Sequence, residues 1–153
     1  MRCRAMVYGE QQKREIETIR ERNITLNLSD ADCDRLSDLC GEHNITVSKL
    51  LENFIGDLVE GTRSNGSDER ELAQSWLKRC WFGMFPEPTL LNWLLTWNYD
   101  VYEDFLKMFE LNWELRISDI KSQFSEFNEQ ADWDEEVEKV KQWYKEKERF
   151  REE

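Results

Sequence analysis

Few residues of this chain combine a type and a spacing that could do chemistry. The 153-residue sequence has one histidine, His43, and cysteines at positions 3, 33, 40 and 80, without a CxxC pair. Zinc sites need clustered Cys and His ligands, and a disulfide framework belongs to secreted proteins, so neither is indicated. The sequence also lacks P-loop, GxSxG and HExxH motifs. We therefore expect no metal, no cofactor and no enzymatic activity.

The remaining candidate groups alternate along residues 22–30, RNITLNLSD. The apolar positions are Ile24, Leu26 and Leu28. The polar positions are Asn23, Thr25 and Asn27. Because successive side chains of a strand point to opposite faces, this pattern predicts a short strand with one apolar side and one side of amides and hydroxyls. A lone strand leaves its backbone groups and its apolar side without partners, so a pairing partner is required.

Two helices are predicted directly after this strand. Ser29, with Asp32 three residues later, is typical of an N-cap, and the apolar spacing that follows predicts a helix ending near residues 41–44. Thr46 is the predicted N-cap of a second helix. The apolar positions of that helix continue to Val59 at helical spacing without a miss.

The rest of the chain predicts a helical bundle. Residues 61–68, GTRSNGSD, are typical of a linker between periodic segments. We therefore divide the sequence into a basic arm or frayed helix (1–22), a strand-helix-helix unit (23–60), a linker (61–68) and an acidic, Trp-rich helical domain (69–153). The fold class is mainly α. Five tryptophans at helical spacings are predicted to be core, or else to line a ligand pocket or partner groove: Trp76, Trp81, Trp93, Trp97 and Trp113.

The charge of the chain favours basic partners. The formal net charge is −12, although residues 1–22 carry six basic and four acidic side chains. Such a charge repels nucleic acid at long range. The sequence contains no apolar run of about 18 residues, and its N-terminus becomes charged too early for a signal peptide. We expect a cytoplasmic protein that makes no membrane contact.

Strand, helix, short turn and helix over residues 23–59 resemble the ribbon-helix-helix family of the Arc and MetJ repressors. In that family two chains pair their strands, so the resemblance implies a homodimer in which a second copy supplies the missing strand. It implies a dimer core of Ile24, Leu26, Leu28, Leu36, Leu50 and Phe54.

The same resemblance implies a DNA-binding face. The outward side chains Asn23, Thr25 and Asn27 would enter the major groove, where Asn can pair with adenine and Thr can contact base edges or a thymine methyl. The turn and the start of the second helix would hold a phosphate, which backbone N–H groups at a helix N-terminus do well. The residues implied there are Thr46, Ser48 and Lys49.

Charge near this face differs from the family's usual pattern. No outward strand position is basic, and the first predicted helix carries Asp30, Asp32, Asp34 and Asp38. Only Arg20 and Arg22, in the arm just before the strand, would attract phosphates. Because DNA affinity depends on neutralised phosphates, we expect weak and salt-sensitive binding.

Three functional hypotheses follow. The first is a homodimeric regulator, an autorepressor or antitoxin, whose helical domain serves oligomerisation or partner binding. The second is an acidic phage or mobile-element inhibitor of a basic nucleic-acid-handling enzyme, such as a CRISPR nuclease. The third is a purely structural dimer, in which Asn23, Thr25 and Asn27 are only the solvated side of the strand.

Overall fold

A computed structural model describes residues 8–97 and 99–152, apart from the side chain of Tyr8. These residues form nine α-helices and one π-helix. The elements are α1 (Tyr8–Glu17), α2 (Asp30–Glu42), α3 (Val47–Leu58), α4 (Ser67–Arg79), α5 (Trp81–Met84), α6 (Leu90–Thr96), the π-helix (Val101–Leu106), α7 (Lys107–Glu110), α8 (Glu114–Phe127) and α9 (Trp133–Glu152). The prediction of a mainly α protein is confirmed.

The predicted strand over residues 23–28 is wrong. The described residues contain no β-strand, and residues 19–29 are irregular between α1 and α2. Alternation of side-chain types describes a preference, whereas a strand also requires a neighbouring strand for its backbone hydrogen bonds. The described part of this single chain supplies no such neighbour. The fold of the chain is therefore helical from α1 to α9.

Local capping places α2 and α3 where the sequence predicts them. The Ser29 hydroxyl accepts a hydrogen bond from the Asp32 backbone N–H at 3.1 Å, and Thr46 Oγ1 accepts one from the Lys49 N–H at 3.1 Å. Both N-caps are therefore confirmed. The turn between the two helices passes through Asn44, whose φ of 54° is tolerated by Asn better than by most residues.

The chain divides into two compact units between Phe85 and Pro86, which we call the N-terminal and C-terminal units. The sequence suggested a boundary at 61–68, but α4 and α5 belong with the N-terminal unit, and α4 packs against α3. Pro86 and Pro88 mark the division because proline lacks the N–H that a continuing helix needs.

The C-terminal unit has a hydrophobic core. It is built from α6, the π-helix, α7, α8 and α9, and Phe105, Phe124, Leu90, Leu94, Ile120 and Val140 are its largest fully buried side chains. A buried carboxylate joins α9 to α6, because Glu136 Oε2 accepts the Leu90 N–H at 3.4 Å while Oε1 pairs with Lys139 at 3.5 Å. The charge of Glu136 is thus compensated rather than isolated.

The N-terminal unit is built differently. Among its described hydrophobic side chains only Cys40 and Ala73 are buried.

The prediction that the tryptophans form a core is wrong for four of the five. Trp93 of the C-terminal unit is buried, whereas Trp76, Trp81, Trp97 and Trp113 are exposed. Helical spacing identifies a shared face of a helix, but it does not say whether another element covers that face.

Candidate functional site

The segment before α2 exposes both of its predicted faces. Asn23, Thr25 and Asn27 are exposed, as the DNA-binding prediction requires of side chains that read bases. The apolar positions are equally open, with exposed fractions of 69% for Ile24, 54% for Leu26 and 51% for Leu28. Three large apolar side chains so close in sequence are rarely left in water without a partner.

The other predicted dimer-core residues are only partly covered. Leu36 on α2 and Leu50 on α3 are half-buried, and Phe54 on α3 is exposed. The structure of the single chain therefore does not gather the six predicted core residues into a core. Three of them precede α2, one lies on α2 and two lie on α3.

The predicted phosphate site is partly occupied by contacts within the protein. Thr46 uses its hydroxyl to cap α3. Lys49 Nζ lies 3.7 Å from Glu52 Oε2, which Arg63 also contacts at 2.8 Å. Ser48 is exposed in the first turn of α3. Lys49 consequently brings less positive charge to a phosphate than its sequence position suggests.

The arm contributes two basic side chains just before Asn23. The Arg22 guanidinium donates to the Thr18 carbonyl at 2.9 Å, and Arg20 is exposed just before it. Across α2 the aspartates 30, 32, 34 and 38 are all exposed, with Asp32 paired to Arg35 at 3.2 Å. The predicted acidic edge beside the candidate DNA-binding face is therefore present on the surface of α2.

Asp57 is a buried carboxylate that closes the loop between α3 and α4. Its Oδ1 accepts the Asn65 backbone N–H at 2.7 Å, and its Oδ2 accepts Asn65 Nδ2 at 3.0 Å. These hydrogen bonds, the side-chain one first, hold the pKa of Asp57 below its ordinary value. The sequence signal was an aspartate within the apolar pattern of α3, eight residues before an Asn-Gly pair, and we did not single it out.

Asp57→Asn should lower the thermal unfolding midpoint at pH 7 by several degrees, because an amide cannot accept both Asn65 hydrogen bonds. A lowered native pKa stabilises the fold above the pKa of unfolded Asp, and this stabilisation is lost as pH falls through the native value. The gap between wild type and variant should narrow below about pH 4. Circular dichroism melts from pH 7 to pH 2 measure this gap, with Asp119→Asn, at an exposed position of α8, as control. A gap that stays constant with pH would contradict the role of Asp57.

A row of exposed aromatic rings runs from α3 across α4 to α5. Phe54 meets Trp76 edge-on with ring centroids 5.5 Å apart, Trp76 meets Phe82 at 6.1 Å, and Phe82 meets Trp81 at 5.4 Å. We call these four residues the aromatic ridge. All four are exposed, and Trp81 reaches 85%. The sequence predicted Trp76 and Trp81 as core, which is wrong for both. The alternative, that such tryptophans line a ligand pocket or a partner groove, stays a prediction.

Two further features are absent from the part of the chain that the structure describes. Within residues 8–97 and 99–152, no group of three or more His, Cys, Asp or Glu side chains could hold a metal ion. No helix in the same residues is long and apolar enough to cross a membrane. Comparisons with protein-family models, with curated proteins and with solved structures find no match to this chain.

Proposed function

We propose that the protein is a homodimeric DNA-binding regulator of the cytoplasm. The observation that carries this proposal is the exposure of Ile24, Leu26 and Leu28 directly before the capped helices α2 and α3. Amide and hydroxyl side chains occupy the alternate positions of the same segment. A second copy offers the same apolar residues, so association of two copies removes both sets from water at once.

DNA recognition would come from the polar positions of the same segment. Asn23, Thr25 and Asn27 carry the groups that read adenine and thymine in the major groove, and all three are exposed. Arg20 and Arg22 lie next to them in the sequence, and Ser48 and Lys49 lie in the first turn of α3. The acidic surface of α2 opposes phosphate binding, so the complex is weak and salt-sensitive.

The C-terminal unit would assemble the dimers into higher oligomers or bind a partner protein. It has its own buried core, so it can keep its shape whether or not a partner is bound. An antitoxin fits this arrangement. In an antitoxin the N-terminal unit would bind DNA, and the separate acidic C-terminal unit would cover the toxin.

The test is fluorescence anisotropy of the full-length protein on the DNA upstream of its own gene, at about 50 and 200 mM salt. Wild type should bind saturably at low salt and much more weakly at high salt, and the triple variant Asn23→Ala, Thr25→Ala, Asn27→Ala should lose binding. The matched control replaces Ser118, Ser122 and Gln123, three exposed polar residues of α8, by alanine and should bind like wild type. Equal binding by both triple variants would overturn the base-reading role.

The acidic composition of residues 86–153 favours a second candidate. This part of the chain has 18 acidic and 9 basic side chains. We propose as the alternative an inhibitor from a phage or mobile element that occupies the phosphate channel of a basic nucleic-acid-handling enzyme such as a CRISPR nuclease. Such an inhibitor would still block nuclease cleavage when Asn23, Thr25 and Asn27 are alanine, whereas a regulator would have lost its function.

A further inference from the structure

The described part of the N-terminal unit leaves many large apolar side chains exposed. Its exposed large hydrophobic side chains include the apolar positions 24, 26 and 28, the aromatic ridge, and Leu72, Met84 and Phe85 around the ridge. Units of this size are marginally stable even with a normal core, because they bury only about 60% of their unfolded surface. Burial of this surface against a partner would therefore add to the stability of the unit.

This exposed surface indicates the kind of partner. A surface whose burial stabilises the fold needs a cover that is present wherever the chain itself is present. A second copy of the chain meets this condition. It also explains why the exposed set is rich in Trp and Phe, which bury about 150–250 Å² each and are enriched at the centres of protein interfaces.

Charge favours the same occupant. From Leu72 to Phe85 the only charged residues are Lys78 and Arg79, both exposed at the end of α4. The same unit exposes Asp34 and Asp38 on α2. In a two-fold symmetric dimer each copy can place its basic end of α4 opposite the acidic α2 of the other, so one contact made twice pairs opposite charges.

We propose that two copies of this chain bury the aromatic ridge against each other's N-terminal unit, with Lys78 and Arg79 facing α2 of the second copy. The inference rests on the homodimer of the proposed function and extends its interface beyond residues 24–28 to α3, α4 and α5. Stable interfaces bury about 800 Å² per partner. The segment before α2 and the ridge together supply apolar area of that order.

The test is sedimentation of the full-length protein over a concentration series. Trp81→Ser should weaken the dimer at least about tenfold, because a central Trp often contributes more than 1 kcal/mol to an interface. Trp81 is 85% exposed in the single chain, so its removal takes little packing from the monomer. Leu115→Ser is the matched control, since Leu115 is also 85% exposed but lies in the C-terminal unit. Leu26→Ser tests the segment before α2 separately.

The outcomes separate the two proposals. Weakening by Trp81→Ser with an unchanged control supports the ridge as interface, whatever Leu26→Ser does. An unchanged Trp81→Ser dimer beside a monomeric Leu26→Ser protein overturns the ridge and leaves the homodimer standing. A wild-type monomer at tens of micromolar overturns both proposals.

Charge reversal tests the orientation. The pair Lys78→Glu and Arg79→Glu should weaken the dimer, and adding Asp34→Lys with Asp38→Lys should restore it. Failure of the fourfold variant to recover overturns the placement of α2 opposite the ridge.

A further test uses wild-type protein labelled with 5-fluorotryptophan, so that no substitution can disturb the folding of the chain. On dilution through the dimer dissociation the ¹⁹F resonance of Trp81 should shift, while that of exposed Trp97 in the C-terminal unit should stay. A Trp81 resonance that does not respond to dissociation overturns the inference.

Discussion

Phe105→Ala should destabilise the C-terminal unit by about 3–5 kcal/mol, the cost of removing a large buried aromatic ring and leaving a cavity. Phe105 is fully buried in the π-helix. Its ring lies edge-on to Phe109 at 5.4 Å and to Trp133 at 6.1 Å. It therefore links the π-helix to α7 and to the start of α9, and no neighbour can fill its place without moving a helix.

Guanidinium denaturation followed by near-ultraviolet circular dichroism measures this effect, because the packed aromatic rings give the signal. Phe150→Ala is the control, since Phe150 is exposed near the end of α9. Its expected change is within about 0.5 kcal/mol, as for most surface substitutions. Equal destabilisation by the two variants would mean that Phe105 is not a centre of the core.

Gly56→Ala should destabilise the N-terminal unit by about 1–3 kcal/mol, in the range of an overpacked core. Gly56 is buried in α3, and a Cβ there would lie 2.7 Å from the carbonyl carbon of Arg63 and 2.9 Å from its oxygen. Both atoms are backbone, so the loop itself would have to move. That movement would also loosen the Asp57–Asn65 hydrogen bonds and the contact of α4 with α3.

Gly41→Ala is the matched control for this substitution. Gly41 also lies in a helix, α2, but a Cβ there meets no atom within 4 Å in the described part of the chain. Alanine has a helix propensity higher than glycine by up to about 1 kcal/mol, so this variant should be as stable as wild type or more so. Thermal unfolding followed by circular dichroism compares the two. Stabilisation by both alanines would show that the loop does not pack against Gly56.

Local chemistry allowed the helices of the N-terminal unit to be predicted well. The caps Ser29 and Thr46 act within three residues, and the stop near residue 42 and the break at Pro86 also depend on neighbours in sequence. Such features need no information about distant parts of the chain. The side chains at 23, 25 and 27 are exposed as predicted, but their DNA-reading role stays a prediction.

The wrong predictions concern features that require a second element to pack or pair with the first. Alternation at residues 23–28 predicted a strand, but a strand requires a second backbone. The spacing of Trp76 and Trp81 predicted a core, but the described part of this chain leaves both exposed. In both cases the pattern is present in the sequence, but the described part of the chain does not supply the second surface that the prediction required.

By itself the sequence determined the helical class, the caps of α2 and α3, the strong acidity and the lack of recognisable catalytic motifs. The tertiary structure decided where the compact units divide, that the large buried side chains of the described residues lie in the C-terminal unit, and that an aromatic ridge lies on the surface. The physical reason is the range of the interactions. Caps and helical periodicity arise between residues three or four apart, whereas burial is a property of two surfaces that meet, and only the folded chain shows which surfaces have met.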